Sequence, residues 1–171
     1  MASFPVRSAR ELMDDDFHAR WTQRESVGPI ARVALAAILD RFVADGGPVA
    51  LDSLALGHDR GTVEAAVAEL DAADLVATRD GRVLLAYPFA SAPTGFAVDL
   101  PGGRERHACC AIDALGIAPM LGAPTRVRAR CHHCADAVDL AVEPTGPIGR
   151  SDVMAWVGRR DTLRQKACDG L

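Results

Sequence analysis

Across "VGPIARVALAAILDRFVADGG", the apolar residues Ile30, Val33, Ala34, Ala37, Ile38 and Phe42 recur at helical spacing. Pro29 suits a first helical turn, and the pair Gly46-Gly47 ends the segment. Leu51–Leu56 predicts a short helix, and a further helix is expected from about Asp59 to Ala73. Two short apolar runs follow, Leu75–Thr78 and Arg82–Tyr87, joined by Asp80-Gly81. That dipeptide between apolar runs is a strong hairpin signal. Three helices and a two-stranded wing, in that order, make a winged helix over residues 28–90. Residues 1–27 read as an N-terminal helical extension, with a short helix around Ala9 to Trp21 whose apolar residues are Leu12, Phe17 and Trp21.

The stretch 91–103 is rich in Pro, Gly and Ser and reads as a linker holding a short strand, Gly95–Leu100. A helix is then expected from Ala108 to about Leu121. In "TRVRARC" the pattern changes to strict alternation: Arg126, Arg128 and Arg130 on one face, Val127, Ala129 and Cys131 on the other. This is the pattern of a half-buried strand. A Cys-His-His-Cys turn leads to a second alternating strand with Val138, Leu140 and Val142 inward. Asp152–Val157 reads as a short apolar strand or turn, and the end of the chain is polar. The expected fold is α+β: a winged-helix-like N-terminal region packed on a small mixed or antiparallel sheet, with residues 104–171 carrying the cysteines.

Composition narrows the function classes. Hydrophobic residues make up 49% of the 171, enough for a packed core, but aromatics are only 5%, so Leu, Val, Ala and Ile must fill it. The net charge of −4 argues against a general nucleic-acid binder. No secretory signal and no apolar run of membrane length is visible, which points to the cytoplasm and to no membrane partner. The five cysteines, Cys109, Cys110, Cys131, Cys134 and Cys168, are an odd number for a disulfide framework. They read instead as thiols for metal binding or catalysis, or as small buried hydrophobes.

Three features compete for the chemistry. The helix from Asp59 would be a DNA-recognition helix in a winged helix, but Asp59, Glu64, Glu69, Asp71 and Asp74 oppose Arg60 alone and would repel phosphates. Cys131 and Cys134 have the spacing of a zinc half-site. No second pair exists, so Cys109, Cys110, His107 or Cys168 would have to complete it. Cys110 and Asp113 lie three apart and would share a helix face, a thiol beside a carboxyl. A helix start, with Arg104 and Arg106 just before it, is expected to lower the thiol pKa.

The segment "HACCAIDALGIAPMLGAPTRVRARC", His107 to Cys131, resembles the signature of the organomercurial (alkylmercury) lyases. That family has a Cys-Ala-Leu-Asp helix, matched by Cys110 to Asp113. A glycine follows, matched by Gly122, then an Arg-Val strand with a further cysteine, matched by Arg126, Val127 and Cys131. "LRQKAC", Leu163–Cys168, resembles the family's Arg-Gln-x-x-Cys element. The resemblance implies that Cys110 first takes the mercury and that Cys168 is the second thiolate. It implies that Asp113 shuttles a thiol proton to the carbon, and that Cys131 is a buried structural residue. The implied substrate is an organomercury compound. The implied product is Hg(II), passed to cytosolic thiols or a mercuric reductase, with no organic cofactor. Three features depart from the family: Cys109 replaces an aromatic, Cys134 is an added thiol, and the chain ends three residues after Cys168 where the family continues. They leave an alternative open, a soft-metal (Hg or Zn) binding or sensing protein using Cys131 and Cys134 with Cys109 or Cys110.

Overall fold

The structure is a computed structural model and describes residues 8, 11, 13, 15–149 and 153–155. Its elements are α1 (Asp15–Glu25), α2 (Pro29–Asp45), β1 (Val49–Ala50), a 3-10 turn Leu51–Ser53, and α3 (Arg60–Ala72). Then come β2 (Val76–Arg79), β3 (Arg82–Ala86), β4 (Phe89–Ala90), β5 (Phe96–Leu100), β6 (Arg104–Ala108), α4 (Ala111–Leu121), β7 (Thr125–Arg130), β8 (Ala137–Glu143) and β9 (Gly146–Ile148). The protein is α+β, built on one nine-stranded sheet. Every pairing among the described strands is antiparallel. The small mixed or antiparallel sheet expected for the cysteine half is therefore antiparallel but larger, and it takes in the strands of the N-terminal half.

The N-terminal helices start and stop where local chemistry says they should. Pro29 opens α2, and Gly46, at φ +86, closes it with its N–H on the Phe42 carbonyl. Gly47 cannot carry a side chain: at φ +69, a Cβ would sit 2.7 Å from the Phe42 ring. Asp59 caps α3 by accepting the Thr62 N–H. The buried stripe of α2 is Ala31, Ala34, Ile38 and Phe42, while Val33, expected inward, is 56% exposed. The short helix expected at Leu51–Leu56 shrinks to the 3-10 turn, because Val49 and Ala50 just before it pair with β3.

The linker expected at 91–103 carries β5, which lies between β6 and β7 in the sheet. Its Pro, Gly and Ser residues bound the strand, while Val98 and Leu100 are buried. The helix expected from Ala108 begins at Ala111 instead. Residues Arg104–Ala108 form β6, turned back on β5 through Gly102 and Gly103, both at positive φ. β9, not anticipated from the sequence, pairs with β8. Of the helix expected at Ala9–Trp21, the part from Asp15 lies in α1, where Trp21 is half exposed. Leu12 lies outside the described residues, as does the side chain of Phe17. So do Asp152, Trp156 and Val157 of the Asp152–Val157 segment, whose described residues Val153–Ala155 form no strand or turn.

One hydrophobic core runs through both halves, from Val27 to Val142. Phe42 of α2 stacks on Phe89 of β4 at 6.2 Å between centroids. Arg106 of β6 makes a second tie. Its Nε donates to the Phe42 carbonyl at 2.8 Å and its Nη2 to the Val43 carbonyl at 2.7 Å, at the C-terminus of α2. The Phe42 carbonyl also accepts the Gly46 N–H, and both carbonyls lie in the last turn of α2, at the negative end of the helix dipole. Arg106→Ala is expected to cost about 1.5–3 kcal/mol, the range for hydrogen bonds to a charged group. It should appear as a lower urea midpoint at unchanged slope, and Arg106→Lys should recover only part of it because the planar fork is lost.

Candidate functional site

β6 and α4 build the site. Cys109 leaves β6 with its N–H on the Pro88 carbonyl at 3.1 Å. The Thr94 hydroxyl donates to the Ala108 carbonyl at 2.7 Å and fixes the strand end. Cys110 is then extended, at φ −150 and ψ 179, and caps α4. Its Sγ accepts the Asp113 N–H at 3.4 Å, the position an oxygen takes in an ordinary capping residue. Cys110 is therefore the residue before the helix, not one on its face. Cap and third residue still meet, so the expected neighbourhood of thiol and carboxyl is present. Both side chains are half-buried.

The expected direction of the thiol pKa is reversed. Burial first, then the hydrogen bond to the Asp113 carboxyl, push Cys110 up to about 11. The helix start contributes in the other sense, through the N–H groups of Asp113 and Ile112, and loses. Arg106 does not help because it is turned to the carbonyls of α2, and Arg104 is exposed. Burial also raises Asp113, against the opposing effects of its bond to Cys110 and of the Arg24 charge. Thus the proton is held on sulfur, beside a carboxylate whose own proton affinity is raised. Alkylation of Cys110 by iodoacetamide should be slow at pH 8, where about one thiol in a thousand is ionised. Its rate should still climb beyond pH 10. A plateau by pH 9 would contradict the burial effect.

Arg24 is the residue that the sequence did not disclose. It comes from the last turn of α1, donates to both the carbonyl and the carboxylate of Asp74 at 3.1 Å, and lies 5.7 Å from the centre of the Tyr87 ring. Its charge acts on Asp113 from an element far away in the chain. No local motif could signal this.

The other cysteines divide differently from expectation. Cys109 is the buried one, while Cys131, expected buried, is half-exposed and Cys134 exposed. The strand ends at Arg130, so Cys131 already belongs to the turn. In that turn the N–H groups of Cys134 and His133 favour the Cys131 thiolate and hold its pKa down, with the Cys134 thiol adding to them. Cys134 itself is pushed up. The Asp136 N–H favours its thiolate, but the Asp136 carboxylate and the Cys131 sulfur outweigh that. Among the described residues, no group of three His, Cys, Asp or Glu side chains converges to hold a metal ion. A zinc site built on Cys131 and Cys134 with His107, Cys109 or Cys110 is therefore not formed, since structural zinc takes four ligands. Cys168 lies outside the described residues, as does the Leu163–Cys168 element.

The carboxylates of α3 have local tasks. Glu69 accepts the Gly28 N–H at 2.6 Å, Asp71 the Thr78 N–H at 3.1 Å, and Glu64 pairs with Arg60 at 2.6 Å. No helix among the described residues is long and apolar enough to cross a membrane.

Residues 89–170 match the family model MerB, alkylmercury lyase. The matched stretch includes Cys110, Asp113, Cys131, Cys134 and Cys168. Among solved structures, the chain is similar to the mercury-bound form of MerB2, at 21% identity and a TM-score of 0.61. The similarity covers 76% of this chain and spans 64% of that one. No curated protein matches.

Proposed function

From the match of residues 89–170 to the alkylmercury lyase family model, we propose that the protein cleaves the carbon–mercury bond of an organomercurial by protonolysis. The observation that supports this most is the half-buried Cys110–Asp113 pair, in which burial raises the proton affinity of both groups. Mercury is soft and seeks sulfur. As the Cys110 sulfur bonds to mercury, its proton passes to the Asp113 carboxylate. Cys168 supplies the second thiolate, which raises electron density on the metal and weakens its bond to carbon. Protonated Asp113 then acts as general acid to the departing carbon. For R–Hg⁺, two thiols give R–H, a mercury bis-thiolate and one released proton. Cytosolic thiols or a mercuric reductase would take the Hg(II). We place the reaction in the cytosol because the four described cysteines are free thiols, which suits a reducing compartment.

In this reading the segment from α2 to β3 is a winged-helix-like unit serving as a structural wall. The local tasks of the α3 carboxylates support that over a role on DNA. The test is incubation with phenylmercuric acetate and excess thiol, with benzene followed by gas chromatography. Benzene above the no-protein blank supports lysis. Mercury retained without benzene supports the second reading, a soft-metal binder, which the half-exposed Cys131 and exposed Cys134 in one turn favour.

A further inference from the structure

The hairpin tip between β7 and β8 is shaped around its two thiols. Cys131 donates its N–H to the Asp136 carbonyl at 2.8 Å and accepts the Ala135 N–H on its own carbonyl at 2.9 Å. Ala135 sits at φ +60, and the Arg130 guanidinium donates to its carbonyl at 3.1 Å. Inside this closed turn, the backbone N–H groups of Cys134 and His133 and the Cys134 thiol favour the Cys131 thiolate. The Cys134 sulfur also donates to the Asp136 carboxylate at 3.2 Å. The two thiols, Cys131 half-exposed and Cys134 exposed, are thus held in one turn pinned on both sides. The arms below are stiff. Arg126 forks onto Asp139 at 2.7 Å through both nitrogens, and Arg128 onto Asp99 at 3.0 and 2.8 Å and onto Glu105 as well.

The sheet brings this turn near Cys110. β6 and β7 both run antiparallel to β5, one on each side of it, so they end at the same edge. His107 and Arg128 both oppose Ala97, which puts them in one row. Two strand spacings separate them, about 10 Å. Cys110 follows His107 by three residues, and Cys131 follows Arg128 by three. The chain therefore delivers the two thiol groups to one sheet edge, level with each other.

We infer that Cys131 and Cys134 form a second, two-coordinate site for Hg(II), a surface dithiol that takes the metal ion after it leaves Cys110. Two thiolates without a third ligand are a poor site for zinc but a complete one for Hg(II), which is soft and content with two sulfurs in line. Binding releases one proton from each thiol and needs no oxidant or reductant. The order of transfer rests on the lyase reading; the dithiol site does not, and the two are tested apart.

The test uses the full chain carrying Cys110→Ser, so that the site at α4 is silent. One equivalent of HgCl₂ is added in the presence of glutathione, free thiols are alkylated with iodoacetamide, and labelling is read at each cysteine by mass spectrometry. Protection of Cys131 and Cys134 together is expected, with at least a tenfold fall in labelling rate at both. Adding Cys134→Ser, an exposed position, should return Cys131 to its metal-free rate. Unchanged labelling of the pair, or protection of Cys131 that survives Cys134→Ser, would overturn the site. Benzene release by the unmutated chain is scored separately. Its absence with the pair still protected would remove the lyase reading and leave the dithiol standing.

Discussion

Cys110→Ser is expected to reduce benzene release from phenylmercuric acetate to the no-protein level while leaving the folded state intact. The two expectations come from different properties of one residue. As a ligand, an oxygen cannot replace sulfur on mercury, so the first bond of the reaction does not form. As a helix cap, serine is among the preferred residues, and its hydroxyl can accept the Asp113 N–H that Sγ now accepts at 3.4 Å. A thermal unfolding scan beside the gas chromatogram separates the effects. Loss of benzene with a melting temperature equal to or above the parent's assigns Cys110 to the chemistry. Benzene at the parent's rate would remove it from the mechanism.

Asp113→Asn is expected to keep mercury binding and lose benzene release by about 10²- to 10⁴-fold, the range for removing a positioned proton donor. Asparagine retains the shape of the side chain but cannot receive the thiol proton or pass it on. Stability should move the other way. The pKa of Asp113 is raised in the folded protein, chiefly by burial. Its contribution to stability is therefore present below the unfolded carboxyl pKa and is lost as pH rises through the folded one. At neutral pH the ionised carboxylate opposes folding, and the Asn variant removes that opposition. Its melting temperature should match or exceed the parent's at pH 7 and lose the advantage at pH 3. An Asn variant less stable than the parent at pH 7 would show that Asp113 is held by interactions stronger than its burial.

The legible parts of the fold were those fixed by neighbours in sequence. Pro29, the Gly46-Gly47 pair and Asp59 set helix ends within a residue or so, and Asp80-Gly81 set the hairpin, with both residues at positive φ. β6 was missed because Arg104, Glu105 and Arg106 look like a polar entry to a helix. What makes them a strand is β5, reached through a Gly102-Gly103 turn whose hairpin signal was there to be read. The candidate site was legible in its spacing and not in its electrostatics. The three-residue interval brought Cys110 and Asp113 together, whether cap or helix. The sign of the thiol shift depended on how deeply α4 seats its first turn. It also depended on where Arg106 points, towards α2, and neither is written locally. Arg24 belongs to the same class: it reaches Asp113 only through tertiary packing.

The family match opens at Phe89, and this position is a seam in the sequence but not in the solid. Phe89 lies flat on Phe42, β4 pairs with β3, and Arg106 holds the end of α2. A chain cut at this point would leave a bare aromatic ring, an unpaired strand edge open to other chains, and a guanidinium without its acceptors. In this chain the matched segment is therefore not free-standing: it leans on α2 and β3.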